Sequence, residues 1–218
     1  KALGAQNFWE KSEAMLETSL IKHKMDFSLV EGEGAFYGPK IDFQARDALG
    51  RYHQLSTIQL DFNLPERFEL EYVAKDGSYE RPVMIHRAIL GSIERFLGVY
   101  LEHCGGNFPL WLAPTQVAIL TISDKFEDYG RDLLNQLKSA GIRAELDDRA
   151  DKVGAKIRNA EMNKVNVMLI VGAREAEAGE VSVRRRFEGD LGQMKVAQLI
   201  EQLDNEINKK RRKEQSQK

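Results

Sequence analysis

The stretch Gly32-Glu33-Gly34-Ala35-Phe36-Tyr37-Gly38-Pro39-Lys40 is a glycine-rich loop ending in a lysine, and Ile41-Asp42-Phe43-Gln44-Ala45 follows it in apolar–polar alternation. Alternation with period two is the mark of a half-buried strand. With Leu49-Gly50 as a turn and renewed alternation over residues 52–62, it predicts a β-hairpin. An antiparallel sheet can give one face to the core and the other to a ligand. A second stretch, His86-Arg87-Ala88-Ile89-Leu90-Gly91-Ser92-Ile93-Glu94-Arg95-Phe96, reads as a helix opened by a histidine and carrying an arginine three residues after Gly-Ser. Together the two predict an antiparallel sheet with a nucleotide on its face and a cation at each end of the phosphates.

Working outward, residues 6–24 place Phe8, Trp9, Met15, Leu16, Leu20 and Ile21 at helical spacing, with Asn7 as the expected cap. Residues 27–30 read as a short strand, and Gly32, Gly34 and Gly38 as positions for positive φ and close backbone approach to a ligand. Residues 64–82 read as an irregular excursion with weak strand character over 68–73. The helical pattern over 86–103 has one stripe of Ile89, Leu90, Ile93, Phe96, Leu97, Tyr100 and Leu101, stopped by Gly105-Gly106. Residues 107–114 carry two prolines and no periodicity, which predicts a junction between a domain over 1–112 and a second over 113–218.

Beyond that junction the texture alternates. Strands are expected over 117–122, 142–146, 167–171 and 181–187, with a helix capped by Asp124 and reaching Ala140, and further helices over 152–163 and from Lys195 onward. Strand–helix–strand–helix–strand with a final hairpin strand predicts a three-layer α/β domain with a largely parallel sheet.

The 218 residues suffice for two ordinary domains, each with its own core. No twenty-residue apolar run and no signal-peptide pattern is present. The single cysteine, Cys104, excludes an internal disulfide and points to a reducing, cytoplasmic setting, with Cys104 itself read as a small buried apolar residue. Net charge is −2, split as −4 over residues 1–116 and +2 over 117–218. That balance excludes a generic polyanion binder, so any nucleic-acid contact must rest on specific arginines.

Lys40 at the end of a glycine-rich turn can reach a phosphate or carboxylate as a point charge. The loop is not a Walker loop, because neither Ser nor Thr follows the lysine. His86 has no metal-site spacing to His23, His53 or His103, so from spacing alone a capping role stands beside a metal role. Arg95 beside an apolar stripe is equally a snorkelling surface residue. Gln54, Thr57 and Gln59 suit recognition of a purine edge or an amino-acid carboxylate, but Gln54 needs a bulge to share a face with the other two.

The Gly32–Lys40 string, Gln59-Leu60-Asp61-Phe62 and the block from Val83 to Phe96 resemble the bacterial-type threonyl-tRNA synthetases of class II. The junction Trp111-Leu112-Ala113-Pro114-Thr115-Gln116-Val117 and the following domain are similar to the same family, so the likeness spans the chain. It implies the distal part of an α+β, antiparallel-sheet class II catalytic domain followed by an α/β three-layer anticodon-binding domain. The implied activity is ATP-dependent attachment of threonine to its tRNA through a threonyl-adenylate. By resemblance, Arg95 matches the motif 3 arginine that holds the γ-phosphate, and Lys40 matches a residue near the reacting carboxylate and α-phosphate. Tyr37, Gln54, Thr57, Gln59 and Ser92 match residues along the substrate groove. His86 matches one of three protein ligands of a zinc ion that binds the threonine amino and hydroxyl groups. ATP with Mg2+ is the implied co-substrate, and a homodimer formed through the full catalytic domain the implied assembly.

In the second domain, Arg184 and Arg186 share a strand face with Ser182, and arginines so placed can stack on splayed-out anticodon bases. The resemblance adds Glu175, in the turn before that strand, and Arg158, on the second helix, to the anticodon contacts. The run Lys209-Lys210-Arg211-Arg212-Lys213 is read as a solvated helix end with a modest attraction to phosphates.

The family pattern also includes a dimer-forming first motif, a second motif whose arginine clamps the α-phosphate, and a cysteine and a histidine that complete the zinc site. None of these is among the 218 residues. The resemblance therefore implies that these residues alone do not activate threonine. A catalytically inactive anticodon-binding module or synthetase-like regulator is the alternative; retention of Lys40, Gln59, His86 and Arg95 argues for the enzyme.

Overall fold

The computed structural model describes residues 6–209 and divides into two units, Lys1–His103 and Cys104–Lys218. In the first unit, α1 (Gln6–Lys22) precedes the hairpin β1 (Lys40–Arg46) and β2 (Tyr52–Asp61). Next come the short helix α2 (Asn63–Arg67), the small ribbon β3 (Tyr72–Val73) and β4 (Tyr79–Glu80), then β5 (Met84–Ala88) and α3 (Ile93–Cys104). The main sheet is antiparallel with order β1-β2-β5.

The structure departs from two local expectations. Residues 27–30 form no strand; their backbone has no ladder partner and their side chains are exposed. Asn7 lies inside α1 rather than capping it. The glycine loop also works differently from the reading of three positive-φ glycines facing a ligand: of Gly32, Gly34 and Gly38, only Gly32 has positive φ. Gly38 packs so tightly on β2 that a Cβ there would lie 2.0 Å from the Leu60 carbonyl oxygen. On either side of that contact, Leu60 N–H donates to Pro39 O and Phe62 N–H donates to Tyr37 O. The loop is thus stitched onto the end of β2, and its glycine serves protein–backbone approach.

The larger correction concerns residues 86–103. Met84–Ala88 is a strand, and the helix begins only at Ile93. Spacing of Ile85, Ile89 and Ile93 satisfies a helical period, but β2 presents an edge whose ladder hydrogen bonds need a partner, and tertiary pairing wins. Gly91 makes the break between strand and helix with φ +66°.

In the second unit, β6 (Val117–Thr121) leads through a single 3₁₀ turn, Asp124–Phe126, into α4 (Glu127–Ser139). Ser123 holds the N-cap position of that turn, and the Lys125 N–H is accepted by both Ser123 Oγ at 3.2 Å and Asp124 Oδ1 at 2.9 Å. The chain continues through β7 (Ala144–Asp147), α5 (Val153–Met162), β8 (Val167–Val171), α6 (Ala173–Ala178), β9 (Glu180–Arg185), β10 (Gly189–Lys195) and α7 (Val196–Lys209). The sheet order is β10-β9-β8-β6-β7, with β7, β6 and β8 parallel and β9 and β10 antiparallel to their neighbours. β10 differs from the expected passage straight from strand to closing helix.

Leu133 and Leu137 of α4 and Leu199 and Leu203 of α7 cover one face of this sheet, against Ile119, Val167 and Leu169. On the other face, Ile157 and Ala160 of α5 pack on Ala118, Leu120 and Met168. Each fully buried aliphatic side chain contributes on the order of 2 kcal/mol. Among the described residues, every buried Leu, Ile, Val, Met and Ala lies beyond the first unit. Cys104 is buried, as expected. No described helix is long and apolar enough to cross a membrane.

Candidate functional site

Directly opposed residues in an antiparallel ladder point to the same face. On β1 and β2 the pairs are Lys40↔Gln59, Asp42↔Thr57 and then, past a register shift, Gln44↔Gln54. The shift leaves Leu55 unpaired as a bulge, so Gln54 joins Thr57 and Gln59 on one face despite an odd spacing. Pairing with β5 adds Gln59↔His86 and Asp61↔Met84. One sheet face therefore gathers Lys40, Asp42, Gln54, Thr57, Gln59, Asp61 and His86, each delivered by register.

Tyr37 reaches this face from the glycine loop. Its hydroxyl donates to Gln59 Oε1 at 2.5 Å, and its ring meets the His86 ring edge-on at 6.0 Å between centroids. The Lys40 ammonium pairs with Asp42 at 2.6 Å, with both side chains largely shielded from solvent. Asp42 Oδ1 and Thr57 Oγ1, buried cross-strand neighbours, have no hydrogen-bond partner among the described residues. Two such acceptors beside an ammonium form a patch suited to a ligand that donates hydrogen bonds and carries negative charge nearby.

Arg95 sits on the first turn of α3, exposed, and donates from Nη1 to the Gln54 carbonyl at 3.3 Å. Ser92 Oγ accepts the Arg95 N–H at 3.3 Å and donates to Glu94 at 2.7 Å. The helix start is thereby anchored beside the bulge. Gln54 and Gln59 are five residues apart on β2, roughly 16 Å along the strand. The two cations therefore address opposite ends of β2, Lys40 beside Gln59 and Arg95 beside Gln54. His86 and Arg95 do not share a helix; the histidine comes from β5 and the arginine from α3.

His86 Nε2 lies 2.8 Å from Asp61 Oδ2. Burial pulls the Asp61 carboxyl upward, but the His86 hydrogen bond and the Leu64 and Asn63 N–H groups outweigh it and hold the carboxyl below its ordinary value. Asp61 and Asp42 were not singled out from sequence. Their signal was available: Thr57, Gln59 and Asp61 alternate along one strand, as do Lys40 and Asp42. Among the described residues, no three His, Cys, Asp or Glu side chains form a metal-holding group.

In the second unit the arginines converge on the end of α5. Arg184 Nη2 bonds Glu161 at 3.4 Å, Arg186 Nη1 donates to the Glu161 carbonyl, and Arg186 Nε donates to Asn107 Oδ1 at 2.8 Å. Arg186 also lies 5.0 Å from the Phe187 ring centroid. Arg158 is exposed on α5, one turn before Glu161. Glu175 is elsewhere: it belongs to α6 rather than a turn, and follows the end of β8 opposite to that facing Arg185. Its Oε2 accepts the Gly172 N–H at 3.0 Å, at the start of α6, and its Oε1 accepts from Gln193 at 3.0 Å. Most of the basic run from 209 to 213 lies outside the described residues.

Sequence reasoning missed Lys156, which is 2% exposed and ties three elements together. Its ammonium donates to the Thr121 carbonyl at 2.9 Å, Thr121 Oγ1 at 3.2 Å and the Asp147 carbonyl at 2.9 Å. No pattern in the sequence distinguishes it from a surface lysine.

Residues 4–104 match the model of the tRNA synthetase class II core domain (G, H, P, S and T), and residues 116–206 match the anticodon binding domain. The threonine–tRNA ligase of Natranaerobius thermophilus is 52% identical over 208 residues, covering 95% of this chain and 33% of that protein. The Bacteroides thetaiotaomicron ligase is 53% identical over 213 residues, again covering 33% of its length. The chain thus spans about a third of the length of the curated relatives it matches. Among solved structures, the RNA binding domain of threonyl-tRNA synthetase from Cryptosporidium parvum superposes with a TM-score of 0.89 at 42% identity, over 94% of this chain and 52% of that one. A threonyl-tRNA synthetase described as putative, from Aeropyrum pernix, gives 0.73 at 32% identity, over 95% and 51%. With a class II core, an anticodon-binding domain and identity near one half to these enzymes, the chain belongs to the threonine–tRNA ligase family.

Proposed function

We propose that a protein carrying this chain joins threonine to tRNA(Thr) in two steps. In the first, the threonine carboxylate attacks the α-phosphate of Mg2+-bound ATP, forming threonyl-adenylate and releasing pyrophosphate. In the second, a ribose hydroxyl at the tRNA end attacks the carbonyl carbon and AMP leaves. No side chain need act as nucleophile in the first step, because the substrate carboxylate does so. What the protein must supply is position and positive charge.

On this reading Arg95 holds the γ-phosphate and Lys40 steadies the reacting carboxylate and α-phosphate. Tyr37, Gln54, Thr57, Gln59 and Ser92 line the groove for amino acid and nucleotide. The observation that carries the reading is the Leu55 bulge, which turns Gln54 onto the face already holding Thr57, Gln59, Lys40 and His86. Asp42 pairs with Lys40 at 2.6 Å, so the ammonium is held on that face rather than lost to solvent.

His86 fits one position of a metal site, since Asp61 engages its Nε2 and leaves Nδ1 as a donor. Among the described residues, no third His, Cys, Asp or Glu joins His86 and Asp61 in a metal-holding group. A zinc ion bound there would supply a Lewis-acid seat for the threonine amino and hydroxyl groups, which the methyl of valine cannot occupy as a ligand. The homodimer is part of the same proposal.

For the second unit, Arg158, Glu175, Arg184 and Arg186 are proposed to contact the anticodon. Support comes from the partly exposed side chain of Arg184, paired with Glu161 at 3.4 Å on a sheet face. Charging of purified tRNA(Thr) by a protein of full family length containing these residues tests the whole proposal. Threonine is expected to be esterified and valine rejected; efficient valine charging, or none with either, overturns it.

A further inference from the structure

We propose that Asp61 is the positioning residue of His86. Its carboxylate fixes the imidazole in the tautomer that carries the proton on Nε2, leaving Nδ1 as a lone-pair donor for an incoming ligand. The inference rests on the reading of His86 as a metal ligand only for what that donor is used for; the hold on the ring stands on geometry.

Asp61 is 2% exposed and both its oxygens are committed. Oδ1 accepts the Asn63 N–H at 2.8 Å and the Leu64 N–H at 3.0 Å, so the start of α2 sets the plane of the carboxylate. Oδ2 is left aimed at His86 Nε2, 2.8 Å away. An ionised carboxylate can only accept, so Nε2 must donate, and in the neutral ring Nδ1 is then bare. Strand register explains why the two meet: Gln59 faces His86 and Asp61 faces Met84, so the aspartate and the histidine are diagonal neighbours on one face. Tyr37 closes the other side of the ring at 6.0 Å and is itself anchored on Gln59, which restricts rotation of the imidazole. The His86 side chain keeps 38% of its surface exposed, so one edge is buried against Asp61 while another remains open to a ligand.

Asp61→Asn separates this role from a structural one. The amide oxygen can still accept from Asn63 and Leu64, but the amide nitrogen would donate to Nε2 and force the proton onto Nδ1. Wrong-tautomer variants of this kind keep their geometry and lose function in the serine-protease triad.

The experiment uses the metal-stripped, full-length protein with 15N-labelled histidine, with His86→Gln to assign the signal. Nitrogen–proton correlation spectra report which ring nitrogen is protonated, and zinc chloride titrated against a competing chelator reports affinity. The expected result is an Nε2-protonated ring in the wild type, an Nδ1-protonated ring in Asp61→Asn, and zinc affinity 10–100-fold weaker with an unchanged unfolding midpoint. Should Asp61→Asn fail to fold, Asp61→Ser keeps the cap on α2 without reaching the ring. It is expected to show mixed tautomers and weakened zinc binding. A wild-type ring protonated on Nδ1, or either variant with the wild-type tautomer and affinity, overturns the proposal. A tautomer that shifts as expected in a protein that binds no zinc supports the hold of Asp61 and overturns the metal reading instead.

Discussion

The Leu55 carbonyl oxygen occupies the space that a side chain at Gly91 would need: a Cβ built on Gly91 lies 2.0 Å from it. Leu55 is the bulged residue of β2, and Gly91 is the turn that separates β5 from α3. The bulge that brings Gln54 onto the ligand face and the turn that launches Arg95 therefore fit together as one unit. Gly91→Ala meets both the clash and a φ of +66°, and is expected to lower stability by about 3 kcal/mol. Urea unfolding of the variant checks this, and an equal midpoint would show that the two segments are not interlocked.

Tyr37 spends its hydroxyl on Gln59, which orients the amide on the sheet face. Tyr37→Phe is expected to cost about 1 kcal/mol of stability and about tenfold in threonine affinity, by freeing the amide to rotate. Calorimetric titration of the full-length protein with threonine measures the second effect separately from the first.

Lys156 offers a test in the other unit. Lys156→Met preserves length but strands the buried Thr121 and Asp147 carbonyls, so stability should fall by about 3 kcal/mol. Denaturant unfolding monitored in the second unit gives the value. A change under about 0.5 kcal/mol would mean that water replaces the ammonium without penalty.

At the hairpin tip, Asp47 accepts hydrogen bonds from the His53 ring, the Arg51 guanidinium and the Arg51 and Leu49 N–H groups. The His53 bond is the largest influence, and with the others it outweighs burial and holds the carboxyl well below its ordinary range. A depressed folded value means that the contribution is complete above the unfolded carboxyl value, about 3.9, and is lost as pH falls further. Amide exchange at Leu49 and Arg51 should therefore accelerate below about pH 4, beyond the intrinsic trend, and Asp47→Asn should abolish that dependence.

The hairpin was legible because Ile41 to Ala45 alternate without interruption, and the second unit because its strands are apolar runs separated by amphipathic helices. The strand at Met84–Ala88 was not, since Ile85 with Ile89 and Ile93 beyond it satisfies a helical period and only the waiting edge of β2 decides between the two. β10 was hidden by Gly189 and Gly192, whose positive φ interrupts alternation. On the candidate site, the need for a bulge beside Gln54 could be inferred, but its position at Leu55 could not. Asp61 stood in view within Gln59-Leu60-Asp61-Phe62; what the sequence lacked was the diagonal register that brings it to His86.

The most direct test of the account is threonine-dependent ATP–pyrophosphate exchange by the full-length protein, comparing wild type with Lys40→Ala and Arg95→Ala. If the face of β1, β2 and β5 forms the adenylate between these two cations, each variant should lose about 100-fold or more in kcat/KM while its unfolding midpoint is unchanged. Wild-type exchange rates in both folded variants would contradict it.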